Sequence, residues 1–328
     1  MEIQKEWLGP TERVETIVTR RGGLGIPTTE TYDYELYGFK CENPDGTHSC
    51  SLDLIQDTGG IVQHTGVQWS GGYVAEVEHY GSDKRIVEAA RMSTGKGFLG
   101  WDPGPCPVCD GSWRILSSDQ EGVICDCYAC EGSGKVQGDM KLLAYLYSHR
   151  HDTPFEMAGL IIEVEAPIMV FREWHRHRTQ SYNEMSARYA PLPNKNYIPS
   201  LARIMYGWNK GHLSANKQGK GSTSKEPDLA AAGAFQLALK ANYESDEALY
   251  RHSLERGIPK ELARVHLPVG RHSKMRASAN LRNWLAFLTL RDAPDAQWEI
   301  RQCAKIVALM IERDFPRTYE LFCKGRKS

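Results

Sequence analysis

Charged and hydrogen-bonding groups are concentrated in the run Trp174-His175-Arg176-His177-Arg178-Thr179-Gln180-Ser181-Tyr182-Asn183-Glu184-Met185-Ser186-Ala187-Arg188-Tyr189. Two guanidiniums flank an imidazole at its start, and a carboxylate, a hydroxyl and a third guanidinium follow. Forked guanidinium donors suit phosphates and electron-rich rings. The run therefore predicts a binding site for an anionic ligand that carries a ring.

Other interpretations of the same run explain less of it. A single arginine is usually a surface ion-pair partner, and RNA-binding surfaces also combine arginine with aromatic residues. A phosphate-binding stripe, however, needs no carboxylate such as Glu184 within it. His175 and His177 lie two residues apart, which would place their rings far apart around a helix, and no carboxylate stands at the usual ligand spacing, so a metal pair is disfavoured.

The composition is that of a globular protein without a strong charge preference. The 328 residues are 41% hydrophobic and 25% charged, with a formal net charge of -1. This balance makes nucleic acid an unlikely general partner. The N-terminus lacks the apolar stretch of a signal peptide, and no segment is long and apolar enough for a membrane span. We therefore expect a cytoplasmic protein whose nine cysteines are reduced or metal-bound.

Four cysteines have the spacing of a zinc site. The pattern Cys106-x2-Cys109-x17-Cys127-x2-Cys130 supplies four thiolates, and an acidic residue and a glycine follow each pair. Four protein thiolates leave no open coordination position, so the predicted Zn²⁺ is structural. Free cysteines are the alternative, and Cys125 is a spare thiol at poorer spacing.

The chain is expected to be α+β, with a β-rich N-terminal extension at 1–72 and a main domain at 73–328, which an insertion at 101–138 interrupts. Alternating hydrophobicity and capping residues mark the strands and helices. The low apolar content of 209–227 predicts a mobile loop. The predicted elements are strands at 14–19, 32–37, 73–78 and 159–170, helices at 83–91, 140–147, 228–256, 260–266 and 298–311, a turn at 43–46 between Cys41 and Cys50, and a helix capped by Ser278 that contains Leu281, Leu285 and Leu288.

Four separated blocks resemble the flavin-dependent thymidylate synthases: 89–93, 149–156, 176–186 and 264–291. The similarity runs from about Tyr73 to Phe322. It implies a β-sheet packed with helices, in a homotetramer that shares active sites between subunits. It also implies reductive methylation of dUMP to dTMP, with methylenetetrahydrofolate as carbon donor and NADPH-reduced FAD as hydride donor.

The resemblance also assigns roles to residues. Arg291 is the implied catalytic residue, because a cation at the pyrimidine edge stabilises negative charge at N3 and O2 and makes C5 more nucleophilic. No cysteine lies in the run at 174–189, so covalent thiol catalysis is not required. The implied flavin-binding residues are Ser93, His151, Thr153, Arg176, His177, Arg178, Glu184, Asn280 and Arg282, and the implied nucleotide-binding residues are Glu173, Arg176, Ser186, Ala187, Arg188, Arg264 and Arg291.

Three positions depart from the usual pattern of that family. Glu173 stands where glutamine is usual, Met157 replaces a histidine, and Ala286 replaces a polar residue near the flavin. These departures keep two alternatives open. The first is an enzyme that modifies another pyrimidine nucleotide, by hydroxymethyl transfer or with dCMP as substrate. The second is a zinc-ribbon nucleic-acid-binding protein on an inactive scaffold.

Overall fold

The computed structural model describes residues 72–118, 122–201, 203–205 and 229–326, and the backbone of four strands before residue 40. These strands are β1 (Trp7–Leu8), β2 (Arg13–Arg21), β3 (Pro27–Glu35) and β4 (Gly38–Phe39). β2 pairs antiparallel with β3, and β1 with β4, so the β-prone runs at 14–19 and 32–37 lie in or overlap strands. The predicted turn at 43–46, Cys41, Cys50 and the loop at 209–227 lie outside the described residues.

Helices and short strands follow in a mixed order that confirms the α+β class. The strands are β5 (Tyr73–Tyr80), β6 (Gly104–Pro105), β7 (Arg114–Leu116), β8 (Ile124–Asp126), β9 (Lys135–Val136), β10 (Gly159–Pro167), β11 (Ser181–Glu184) and β12 (His272–Asn280). The helices are α1 (Asp83–Arg91), α2 (Asp139–Ser148), a 3-10 helix (Thr153–Met157), α3 (Ile168–Trp174), α4 (Leu229–Glu255), α5 (Lys260–Ala263), α6 (Leu281–Arg291), α7 (Trp298–Asp314) and α8 (Pro316–Gly325).

Strands β11, β12, β10 and β5 form a four-stranded sheet in that order. Helix α1 begins where predicted, since Ser82 Oγ accepts a hydrogen bond from Arg85 N and satisfies one of the free amides of the first turn. Helices α6 and α7 pack against each other, and α7 against α8. Their buried faces include Trp284, Phe287 and Ile300, all 0% exposed. Burial of these aromatic and aliphatic side chains stabilises the layer of helices.

Some predicted boundaries are wrong. The strand predicted at 159–170 ends at Pro167, where α3 begins. Ser278 does not cap a helix, since it lies in β12; the cap is Asn280, whose side chain accepts from Asn283 N. The helix predicted at 260–266 ends at Ala263.

The described chain divides into two compact units. The first comprises residues 1–75, 165–168 and 186–273, and the second comprises 76–164, 169–185 and 274–328. Within the first unit, the buried Arg271 donates to the Glu247 carboxylate at 2.6 Å and to Leu192 O at 3.0 Å, so its charge is compensated. The division into an extension at 1–72 and a catalytic domain at 73–328 stays a prediction.

The insertion at 101–138 is built from two similar halves. Strand β6 pairs with β9, and β7 pairs with β8. After each cysteine pair, a serine hydroxyl donates to the carbonyl of the preceding cysteine, at 2.5 Å for Ser112 and 2.6 Å for Ser133. Gly111 and Gly132 have φ of 75° and 74°, which only glycine adopts without strain. The repeated turn explains why both halves carry glycine two residues after the cysteine pair.

None of the helices in the described ranges combines the length and the apolar character that a membrane crossing requires.

Candidate active site

The residues from His175 to Gln180 form a loop between α3 and β11 that is fixed at both ends. The buried Trp174 indole donates to the Gln180 side chain at 3.0 Å. The Tyr182 hydroxyl lies 3.1 Å from Trp174 O and 2.7 Å from His177 O. Asn283 of α6 also donates to Thr179 O at 3.2 Å. The loop is therefore held to the core of the second unit, while its arginines stay outside.

Arg176 and Arg178 extend from this loop into solvent. Both residues are exposed, and within the described part of the chain neither guanidinium forms an ion pair. Among the described residues, therefore, a surface salt bridge does not explain the presence of arginine at positions 176 and 178. Their unpaired donors suit phosphate oxygens, as the sequence predicts.

Arg291, at the C-terminal end of α6, lies against the same loop. Its Nε–H donates to His177 Nε2 at 2.8 Å, its Nη1 donates to Glu173 Oε2 at 2.6 Å, and its Nη2 donates to Glu173 O at 3.0 Å. A guanidinium has five N–H groups, so two are left for a ligand within the described part of the chain. The Arg291 side chain is 16% exposed, which restricts its orientation.

His177 is neutral at physiological pH. Burial, and to a lesser degree the Arg291 charge, lowers the pKa of His177 to about 4. Because Arg291 has only donors, His177 Nε2 accepts and the ring proton is assigned to Nδ1. The ring also packs edge-on against Phe287, with 4.9 Å between centroids. His177 thus keeps one N–H donor, at Nδ1, while its Nε2 is occupied by Arg291.

The pKa of His177 predicts a loss of stability in mild acid. As the pH falls below about 6.5 the unfolded chain binds a proton there, and the folded protein does not until about pH 4. The free energy of unfolding therefore decreases across this window. Urea titrations of the unliganded protein between pH 7 and pH 4.5 should show this decrease, and His177→Asn should make it smaller. An equal pH dependence in the two proteins would contradict the prediction.

Tyr182 stays protonated next to this histidine. Burial raises the pKa of Tyr182 to about 12, so its hydroxyl is a donor throughout the physiological range. This role of Tyr182 could not be predicted from its local pattern, because a tyrosine in a short strand usually packs against neighbouring side chains. The role of Gln180 was not predicted either. Its side chain accepts from the Trp174 indole and so closes the loop.

The other implied flavin residues lie in the second unit. Ser93, His151 and Thr153 are exposed; Ser93 follows α1, and Thr153 begins the 3-10 helix. Arg282 is already paired with Glu156 at 2.5 Å and Asp152 at 3.3 Å, so it must exchange or share partners to bind a ligand. Glu184 ends β11 and is half-buried, and Asn280 caps α6.

Four implied nucleotide residues lie in the first unit: Ser186, Ala187, Arg188 and Arg264. Ser186 Oγ accepts from Arg188 N at 3.3 Å, and Arg188 pairs with Glu261 at 3.2 Å. Lys260 donates to Tyr189 O at 2.8 Å. These contacts tie the segment after Met185 to helix α5, at whose C-terminal end Arg264 lies.

The four cysteines of the insertion converge. Their Sγ atoms lie within 4.8 Å of one another and all four residues are buried. Cys106 Sγ is 3.8 Å from Cys127 Sγ, and Cys109 Sγ is 3.7 Å from Cys130 Sγ. A tetrahedral zinc with Zn–S bonds of about 2.3 Å requires sulfurs about 3.8 Å apart. Gly134 N also donates to Cys130 Sγ at 3.2 Å. The geometry fits a four-thiolate metal site.

An α+β fold, cationic donors that are unpaired among the described residues and a fixed Arg291 together suit the binding of an anionic ligand. The family model described as thymidylate synthase complementing protein matches residues 77–317. The chain therefore belongs to this family, the flavin-dependent thymidylate synthases, and is an enzyme of that class.

Known relatives agree with this membership. The chain is 34% identical to the flavin-dependent thymidylate synthase of Thermus thermophilus over 251 residues, 76% of this chain and 75% of that protein. It is 32% identical to that of Anaplasma marginale over 254 residues, with coverage of 76% and 72%. Among solved structures, it resembles the UMP/dUMP methylase PolB from Streptomyces cacaoi bound with 5-Br dUMP, with a TM-score of 0.57, 29% identity and coverage of 78% and 96%.

Proposed function

We propose that this enzyme converts dUMP to dTMP, with methylenetetrahydrofolate as carbon donor and NADPH-reduced FAD as hydride donor. The observation that carries the proposal is Arg291, which Glu173 and His177 hold while two of its N–H groups stay available. The family membership supports the flavin, and the relation to a UMP/dUMP methylase supports a pyrimidine nucleotide.

The residues of the chain bind and polarise the pyrimidine. Arg291 donates to the ring edge, where negative charge develops at N3 and O2 as C5 attacks the carbon donor. Neutral His177 accepts from Arg291 Nε, and this contact fixes the plane of the guanidinium. Because the Arg291 side chain is largely shielded from water, its charge is screened less than that of a surface arginine.

The flavin is proposed to lie against the exposed donors of the Arg176 loop. Arg176 and Arg178 would hold the pyrophosphate, and the remaining contacts would come from Ser93, His151, Thr153, His177, Glu184, Asn280 and Arg282. When bound and reduced, the flavin supplies the hydride. The Nδ1–H of His177 would donate to a ring acceptor. Ser186, Ala187, Arg188 and Arg264 would bind the nucleotide with Arg176, as the family resemblance implies.

Zn²⁺ is the proposed metal of the four-cysteine site, with a structural role. The sulfur separations match a zinc tetrahedron, and four thiolates leave no position for a substrate. The insertion does not favour a nucleic-acid-binding function, since residues 101–138 contain six acidic and only two basic side chains, whereas such binding depends on cationic contacts with phosphate.

The direct test of the function is product analysis. Purified protein is incubated with FAD, NADPH, methylenetetrahydrofolate and one nucleotide, and the nucleotide is analysed by mass spectrometry. Gain of one methyl group on dUMP is the expected result. A different mass gain, or turnover of dCMP alone, would overturn the proposal in favour of another pyrimidine modification. A flavin-free protein without turnover that binds DNA or RNA in a salt-sensitive manner would support the nucleic-acid-binding alternative.

A second candidate substrate follows from Glu173. Only one oxygen of its carboxylate contacts Arg291, and the side chain is 40% exposed. The other oxygen is an acceptor that suits either the N3–H of uracil or the exocyclic amine of cytosine. Because the Glu173 carboxylate is paired with Arg291, it partly neutralises the charge of that guanidinium. It is therefore not an uncompensated negative charge that would repel a phosphate. Glu173 therefore bears directly on the choice of base.

Glu173→Gln is expected to lower kcat/KM for dUMP by about tenfold, because a charge-assisted hydrogen bond to Arg291 becomes a neutral one. Steady-state kinetics with dUMP and dCMP measure the effect. The conservative variant Glu163→Gln, at a half-exposed carboxylate that lies 3.3 Å from Arg276, is the control and should stay within about twofold of wild type. An increase in dUMP turnover in Glu173→Gln would show instead that Glu173 excludes dUMP.

We also propose the homotetramer of the family, in which residues of different subunits complete each active site, and a cytoplasmic location. Sedimentation equilibrium tests the assembly: a species of four chains is expected, and a stable monomer with full activity would contradict it.

A further inference from the structure

The loop at 92–98, which carries Ser93, is closed by one buried carboxylate. Asp139 is 0% exposed; its Oδ1 accepts from Arg91 Nε at 2.8 Å, and its Oδ2 accepts from Leu99 N at 2.6 Å. Arg91 ends α1 immediately before the loop, and Leu99 follows the loop directly. Both ends are therefore fixed to the first residue of α2.

The first residues of the loop continue from the end of α1, since Thr94 N and Gly95 N both donate to Arg91 O at 2.9 Å. Gly95 and Gly97 have φ of 66° and 63°, and a Cβ at either position would meet no atom within 4 Å. Among the described residues, the Ser93 hydroxyl donates to Ala90 O, at 3.2 Å. Ser93 is therefore positioned by the end of α1, whose Arg91 is held by the same Asp139 carboxylate that holds Leu99.

Leu99, at the C-terminal end of the loop, belongs to the core of the four-cysteine site. Leu99 is 5% exposed and packs in one cluster with Cys106, Cys109, Cys127, Ala129, Cys130 and Val136. Lys96, within the loop, also pairs with Glu131 of the insertion at 2.6 Å. Since a segment of this size orders its core around the metal, the same event that orders the cysteines orders Leu99.

We propose that metal occupancy of the four cysteines is coupled to flavin affinity through the loop at 92–98, with Leu99 and Asp139 as positioning residues. The metal orders the insertion core, the core fixes Leu99, and Leu99 with Asp139 holds Ser93 where the flavin binds. This inference rests on the proposed flavin contact of Ser93. Because binding free energies are linked reciprocally, FAD also raises the affinity for the metal by the same factor.

The first test compares full-length protein loaded with Zn²⁺ and protein stripped of metal by chelator. The dissociation constant for FAD is measured by quenching of flavin fluorescence, and amide hydrogen exchange is followed at 92–99. Stripping is expected to weaken FAD binding about tenfold, a typical size for coupling between sites, and to speed exchange in the loop, with both effects reversed by added Zn²⁺. An FAD affinity within about twofold, in stripped protein of unchanged circular dichroism, would overturn the coupling.

Two variants decide the matter if stripped protein unfolds. Leu99→Ala keeps all four thiolates and is expected to weaken FAD binding while zinc content stays at one ion per chain. Asp83→Asn is the control for perturbing a buried residue at the other end of α1: Asp83 is a carboxylate that accepts from Thr318 Oγ1 of α8 at 2.6 Å. Its FAD affinity should equal that of wild type. Unchanged FAD affinity in Leu99→Ala would overturn the coupling.

The coupling and the proposed function fail in different ways. If zinc-loaded wild type binds no FAD, the proposed function is wrong, and the coupling falls with it. If loaded and stripped protein bind FAD equally and both methylate dUMP, only the coupling is wrong.

Discussion

Cys127→Ser is expected to lose its zinc and to unfold the insertion. Cys127 is buried, and its sulfur lies 3.8 Å from that of Cys106. A serine hydroxyl is a far poorer zinc ligand than a thiolate. Structural zinc contributes roughly 10–16 kcal/mol to the folding of isolated zinc modules, and among the described residues only three other buried apolar residues, Leu99, Ala129 and Val136, share the cysteine cluster. Zinc content should fall from about one ion per chain to near zero, and protease should cleave within 101–138.

Cys125→Ser is the control for this change. Cys125 lies two residues away in β8, but its side chain is exposed and outside the converging group. Zinc content and protease resistance should match wild type. Equal zinc loss in the two variants would mean that the assignment of ligands is wrong, and full zinc retention in both would mean that the four cysteines do not bind the metal.

The four-cysteine cluster of the insertion could be predicted from the sequence because its members lie in two close pairs along the chain. Two cysteine pairs with glycine turns specify their own geometry, and the structure brings these four thiols together. Strand β12 was missed for the opposite reason. Its residues, His272 to Asn280, include lysine, arginine, serine and alanine, which have low intrinsic strand preference. Its neighbours in the sheet order, β11 and β10, lie far away in sequence.

The site shows the same limit. The arginines of the run at 174–189 predicted a cluster of donors, and the structure leaves Arg176 and Arg178 unpaired among the described residues. The ion pair between Glu173 and Arg291 joins residues 118 positions apart, and the local sequence pattern at either residue does not predict it. Asp139 was also missed, because an acidic residue at the start of a helix usually only complements the helix dipole. Its contacts with Arg91 and Leu99 arise from packing between separate segments.

Arg291→Lys is expected to lower kcat for dTMP formation by about 100- to 1000-fold, the cost of removing a donor aimed at developing negative charge. A lysine keeps the positive charge but has no fork, so it cannot contact His177, Glu173 and a pyrimidine edge together. The dissociation constant for dUMP should change much less than kcat, because the proposed phosphate contacts come from other arginines. Single-turnover kinetics with dUMP, together with equilibrium dUMP binding, separate these two effects.

Arg85→Lys is the matched control for Arg291. Arg85 is a surface arginine that donates to Glu88 at 2.7 Å with its side chain 70% exposed, so its replacement should cost less than about 1 kcal/mol and leave kcat unchanged. If the kcat of Arg291→Lys stayed within threefold of that of Arg85→Lys, the hypothesis that Arg291 activates the pyrimidine would be wrong. If instead kcat held and dUMP binding collapsed, Arg291 would be a binding residue only. The expected pattern, a large fall in kcat with nearly intact binding, requires that the donors act mainly on the transition state.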